Sequence, residues 1–256
     1  MKVNKLLVLI CSTFLFTACS SDDDDNDSTD RLEITLEDTR KHRVLKTVSI
    51  TYSGDEIGKQ LDPGDAGKGV TWDFSNIDLS KYSYKEKLET EGKAIDYSTS
   101  KFKDYFPKAT ECYITKNVRT LYYSTNQYVY SFNSYDYLDG NITYGEVEYD
   151  DYEFSDDAYI VNYNPAVTEP YPQYLGLKYT VETTSQDDDG DSYTAYLEID
   201  GEGTIILPGG KKFTDVLRRK ITYSDEEGEY YSYISKQAGV VLSFTKGNDS
   251  FEFRDN

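Results

Sequence analysis

The side chains able to do chemistry in this chain are mostly carboxylates and phenols. There are 47 Asp and Glu residues, 26 Tyr and one His. His42 lies in the basic run Arg40-Lys41-His42-Arg43. A Ser–His–Asp triad or a multi-histidine zinc site is hard to build from one imidazole, so His42 reads as a solvated residue at a strand start. No Gly-x-Ser-x-Gly, phosphate loop or dinucleotide fingerprint occurs. Glycoside hydrolysis needs only two acids. The sequence offers many such pairs and singles out none, because most of its acids sit in turns and a raised carboxylate pKa needs a partly desolvated cleft. No catalytic residue is assigned, and no cofactor is expected.

Calcium is the one metal to weigh. Asp187-Asp188-Asp189-Gly190-Asp191 resembles part of an oxygen-ligand loop, with Asp187, Asp189 and Asp191 as candidate ligands. With Gly190 in the sixth EF-hand position, the first is Ser185 and the twelfth Tyr196. The closing bidentate acid is missing, so a solvated hairpin turn is the simpler reading. Aromatic residues offer a second chemistry, because flat sugar faces stack on such rings. Trp72, Tyr130, Tyr171 and Tyr174 are the candidate stacking residues. Against that, a tyrosine-rich protein must also build its core from these rings. Trp72 in particular can be a plug closing one end of a sheet, its indole N–H bonded to backbone. Cys112, in the strand-like stretch Glu111-Cys112-Tyr113-Ile114, reads as a buried inert thiol.

The elements that must position these residues are strands. Alternation runs through the chain while an apolar 3.6 period is nearly absent. Arg43–Tyr52 is the first clear strand expected, and later ones include residues 81–89, 94–100, 142–149, 176–184, 193–200, 201–207 and 212–223. Residues 150–176, with acids first and Asn164-Pro165, Glu169-Pro170 and Tyr171-Pro172 after them, read as a long irregular connection. The expected fold is all-β, with antiparallel sheets in a sandwich-like or open-barrel-like arrangement and fewer than about one residue in ten helical. The body covers residues 31–256, as one domain or as two halves meeting near 150–176.

The N-terminus carries an address. Lys2 and Lys5 precede an apolar stretch from Leu6 to Phe16, which ends Phe16-Thr17-Ala18-Cys19. Too short to span a membrane, this is a signal peptide pattern over residues 1–18. It resembles the bacterial lipoprotein signal, which implies lipidation at Cys19 with palmitate and a diacylglycerol anchor. Residues 19–30, including Asp22-Asp23-Asp24-Asp25, form an acidic flexible tether. Such a tether resembles the export tag of Bacteroidota surface lipoproteins. Two further segments, Pro63-Gly64-Asp65-Ala66-Gly67-Lys68-Gly69-Val70-Thr71-Trp72-Asp73-Phe74-Ser75 and Gly203-Thr204-Ile205-Ile206-Leu207-Pro208-Gly209-Gly210 with Phe213-Thr214-Asp215-Val216-Leu217-Arg218, resemble exported proteins of that phylum. These resemblances imply an outer-membrane protein, lipid-anchored at Cys19 and facing the cell exterior. A formal net charge of −20 repels nucleic acid and anionic headgroups. The expected partners are the membrane through the anchor, and a glycan, peptide or envelope protein. A non-catalytic binding or structural role is the leading expectation. A carboxylate-based glycan-cleaving enzyme is the alternative.

Overall fold

The computed structural model describes residues 31–54, 61–82, 84–123, 126–149, 158–185, 192–224, 228–247 and 250–255. Cys19, the tether and the candidate calcium ligands Asp187, Asp189 and Asp191 lie outside the described residues. The chain is an antiparallel β protein with little helix, and its strands close into a barrel.

Among the described residues one α-helix, α1 (Leu36–Arg43), precedes β1 (Lys46–Ser53) and β2 (Gly67–Asp73). A long meander follows: β3 (Tyr84–Ile95), β4 (Glu111–Tyr122), β5 (Gln127–Asp139), β6 (Ile142–Tyr149), β7 (Ala158–Thr168), β8 (Lys178–Ser185) and β9 (Ser192–Ile206). The chain ends with β10 (Lys212–Tyr223), β11 (Glu229–Ser235), β12 (Gly239–Thr245) and β13 (Ser250–Arg254). The order of pairing is β10-β11-β12-β13-β1-β3-β4-β5-β6-β7-β8-β9, and β9 pairs back onto β10 to close the ring. β2 stands apart from that ring. It runs parallel to the second half of β9, from Gly67 opposite Gly201 to Asp73 opposite Ile206, and takes over the edge that β8 occupies along the first half.

Closure removes the sheet edges that an open sheet must protect, and it divides the residues into two faces. Directly opposed residues on neighbouring strands share a face. Ile50 opposes Phe253 and Lys87, while Cys112 opposes Tyr137 and Ile95. These residues face outward. Two apolar areas of the outer face are covered by excursions of the chain. Residues 61–82 lie over Ile50, Tyr231, Tyr233, Phe244, Phe251 and Phe253, to which they add Leu61, Trp72 and Phe74. Residues 96–109 lie over Cys112, Tyr135, Tyr137 and Val147, adding Phe102 and Phe106. Phe106 stacks on Tyr137 at 4.4 Å.

The inward face is mixed. Val181, Ala195, Leu197 and Ile221 make one aliphatic wall, while Glu86, Arg119, Asp136, Glu146 and Glu252 line the strands opposite. α1 crosses one end of this interior. Ile34, just before it, packs on Ile199, Leu217 and Ile234 of β9–β11. Its far end reaches Glu111 of β4 and Asp136 of β5.

Several expected boundaries move, for one physical reason. Arg43 ends a helix rather than starting a strand. Gly92 is not a turn but sits inside β3, because a Cβ there would stand 1.9 Å from the Arg43 carbonyl oxygen. The break expected at residues 200–201 is likewise continuous strand in β9: a Cβ at Gly201 would stand 2.6 Å from the Trp72 ring, and one at Gly203 would meet the Val70 carbonyl at 1.9 Å. These glycines mark close approach of another segment, not chain reversal. The irregular connection expected at 150–176 contains β7, which pairs with β6 over most of its length and with β8 only at Tyr163 and Asn164.

Candidate functional site

The segment around Trp72 forms a groove on the barrel wall. Trp72 is 2% exposed. Its indole N–H donates to the Asp65 carbonyl at 3.0 Å, and Tyr233 meets its ring edge-on at 5.2 Å. Arg218 lies 5.5 Å above the Trp72 ring and 5.4 Å above Tyr231. A guanidinium buried to this degree needs full pairing, and Arg218 has it. Nε and Nη2 donate to the two Asp200 oxygens at 2.8 and 3.0 Å, and Nη1 donates to the Pro63 and Gly64 carbonyls. Tyr233 adds a hydrogen bond to the Pro63 carbonyl at 2.8 Å. One arginine thus clamps the loop before β2 onto the wall.

Outside this clamp lies an open cavity of about 350 Å³, lined by Asp62, Gly64, Thr71, Trp72, Asp73, Phe74, Asn76 and Ile77. That volume falls within the range of small-molecule sites. Its two carboxylates are exposed and fixed by their own turns: Asp62 accepts from the Gly64 N–H and Asp73 from the Ser75 N–H, each at 2.9 Å. The Ser75 bonds also hold the Asp73 pKa below the ordinary aspartate value. Side-chain oxygens of Asp62, Asp73, Thr71 and Asn76 therefore border an aromatic floor.

A second arrangement lies at the barrel end beneath α1. Asp136 of β5 and Glu146 of β6 are directly opposed in register. Arg43 pairs with Asp136 at 2.5 Å, and the Tyr163 hydroxyl donates to Glu146 at 3.0 Å. Burial, reinforced by the Asp136 charge, pushes the Glu146 pKa up to about 7. One acid held by a cation beside another near neutrality is the electrostatic pattern of an acid–base pair. Glu169, paired with Arg219 at 3.2 Å and with the Tyr171 hydroxyl, continues the network. The space between α1 and this wall is about 10 Å³, lined in part by Arg40, Arg43, Glu111, Tyr113, Glu169 and Tyr171. That is room for about one water.

The residues singled out from sequence are not brought together. Trp72 has its ring faces occupied and borders the groove as its floor. Tyr130 lies on β5, accepts a hydrogen bond from Arg119 at 2.9 Å and stacks on Phe132 at 6.1 Å. Tyr171 is partly buried against Glu169 beneath α1. Tyr174 carries the Arg31 guanidinium 3.9 Å above its ring. Cys112 is 1% exposed, and burial pushes its pKa to about 11. His42 is not a strand-start residue. Its Nε2 lies 2.8 Å from the Lys236 carbonyl, and burial lowers its pKa.

Among the described residues, no group of three or more His, Cys, Asp or Glu side chains is arranged to hold a metal ion. Sequence reasoning missed Asp136 and Glu146, which lie in separate strands and become neighbours only through the β5–β6 register. It also missed α1. The signal for that helix was present in Thr35 and Asp38, which form a reciprocal capping box.

The chain matches no family model, no curated protein and no solved structure. Fold and site define a class only: a closed antiparallel β barrel with a partly charged interior, a helical strap at one end and a polar, aromatic-floored groove on its wall.

Proposed function

We propose that this protein is a lipid-anchored surface protein, joined to the outer membrane through Cys19, that binds a glycan without cleaving it. The groove beside Trp72 carries the reading. Exposed carboxylate, hydroxyl and amide oxygens around an open groove suit a neutral polyol, whose hydroxyls need hydrogen-bond acceptors; the buried Trp72 ring shapes the groove and is not itself a stacking face. The strongly acidic surface disfavours anionic ligands. The address rests on the order of the first thirty residues: basic head, apolar stretch, Ala18-Cys19 and acidic tether.

The test is a glycan array read with the wild-type protein and with Asp73→Ala and Asn76→Ala. Binding that is lost in both variants while Trp72 keeps its buried emission supports the groove. Binding that survives both variants rules it out. Mass spectrometry of the native N-terminus checks the anchor, since acyl chains on Cys19 are required.

A second reading is a carboxylate-based glycan-cleaving enzyme, favoured by the opposed Asp136 and Glu146. It requires product release in a hydrolysis screen and its loss in Glu146→Gln.

A further inference from the structure

α1 spans the barrel end, yet none of its residues is buried. It runs between two firm attachments. Ile34 before it is 1% exposed in an aliphatic cluster, and Lys46 after it begins a strand paired on both edges. Between them the described hold is polar. Arg40 forks onto Glu111, Arg43 pairs with Asp136, and His42 bonds the Lys236 carbonyl. Eight residues are too few for a helix to persist alone in water, so its shape depends on its capping box and these contacts.

We propose that α1 is a movable strap, closed over the Asp136–Glu146 pair by its two arginines and able to swing from the barrel end while the barrel stays folded. The inference is independent of the groove. Partly exposed ion pairs are weak fasteners that salt screens, and the side chains of the Arg40–Glu111 and Arg43–Asp136 pairs all keep some contact with solvent. Behind the C-terminal end of the strap the interior is lined by Asp136 and Glu146, polar groups that water can reach first, while the aliphatic wall of Val181, Ala195, Leu197 and Ile221 belongs to other strands. Gly92 sets the closed position, because the Arg43 carbonyl rests where a side chain would otherwise begin. A methyl group there pushes the C-terminal end of the strap away.

Hydrogen exchange of the full chain, resolved by peptide, tests this. The amides of residues 37–45 should exchange about tenfold faster than those of β4, and roughly threefold faster again in 0.5 M sodium chloride. Glu111→Gln and Asp136→Asn should raise the strap rate in the same direction, and Gly92→Ala should raise it most. In all three variants the emission of Trp72, the only tryptophan, should stay that of a buried indole. Strap amides as protected as β4 would overturn the proposal. So would variants that expose Trp72, since α1 would then be part of the cooperative core.

Discussion

Two segments lie against the ring of strands, and they are fastened by opposite means. Residues 61–82 bring Leu61, Trp72 and Phe74 into an aromatic cluster of the barrel wall and are locked by a guanidinium only 2% exposed. α1 brings no buried residue and is tied by ion pairs whose partners are a fifth to a third exposed. The two segments share the same chemistry of fastening, arginine against carboxylate. What differs is the water left around it. Removing one partner of a desolvated pair strands a charge, whereas removing one partner of a wet pair returns it to solvent.

The sharpest way to break that comparison is Arg218→Ala. It removes the donor from Asp200 and from the Gly64 carbonyl and leaves the Pro63 carbonyl to Tyr233 alone, so denaturant unfolding followed through Trp72 should show a loss of about 3–5 kcal/mol. Arg218→Lys should recover little of this, because an ammonium cannot reproduce the fork on Asp200. A loss below about 1 kcal/mol would put the clamp in the same class as the strap.

A smaller effect concerns Glu146, which sits beneath the strap. Its pKa is raised from an ordinary 4.5 to about 7, so the folded state holds that proton more tightly than the unfolded chain. Its contribution to stability is present in full below pH 4.5 and is lost as pH rises through about 7. Between pH 5 and pH 8 this one group should remove about 2 kcal/mol. Glu146→Gln should flatten that part of the stability profile, measured by thermal unfolding at several pH values. An unchanged slope would place the Glu146 carboxylate in solvent.

Thr35→Ala removes the cap that accepts from the Asp38 N–H. About 1 kcal/mol of helix stability should go with it. The loss should be visible as faster exchange across residues 36–43, with little change in the midpoint of global unfolding. Smallest of all is Arg40→Ala, expected to change global stability by less than about 1 kcal/mol and to lose even that difference in 0.5 M salt. If Arg40→Ala proved as costly as Arg218→Ala, the distinction between the two segments would fail.

Fold class was legible because alternation is a local property. Val44 to Tyr52, Ile142 to Tyr149 and Lys212 to Tyr223 each show it within a few residues, and burial on one face of a pleated strand requires it. The buried thiol at Cys112 could be read the same way, from the strand-like stretch Glu111-Cys112-Tyr113-Ile114 around it. Local breaks were less trustworthy. Gly92 looks like a turn in the sequence, but in the folded chain it makes room for the Arg43 backbone, which arrives from 49 residues away.

The sequence by itself determined that the chain forms strands, that few of its residues are helical, and that one tryptophan stands among glycines and polar residues. Strand pairing decided the rest. Closing β9 onto β10 gave the sheet an inside. The β5–β6 register set Asp136 against Glu146, and the long return of β10 carried Arg218 to a loop more than 150 residues earlier. The reason is physical. Hydrophobic period and capping are written over a few neighbours, whereas register and closure are contests among many distant pairings, resolved only when the whole ring buries its faces together.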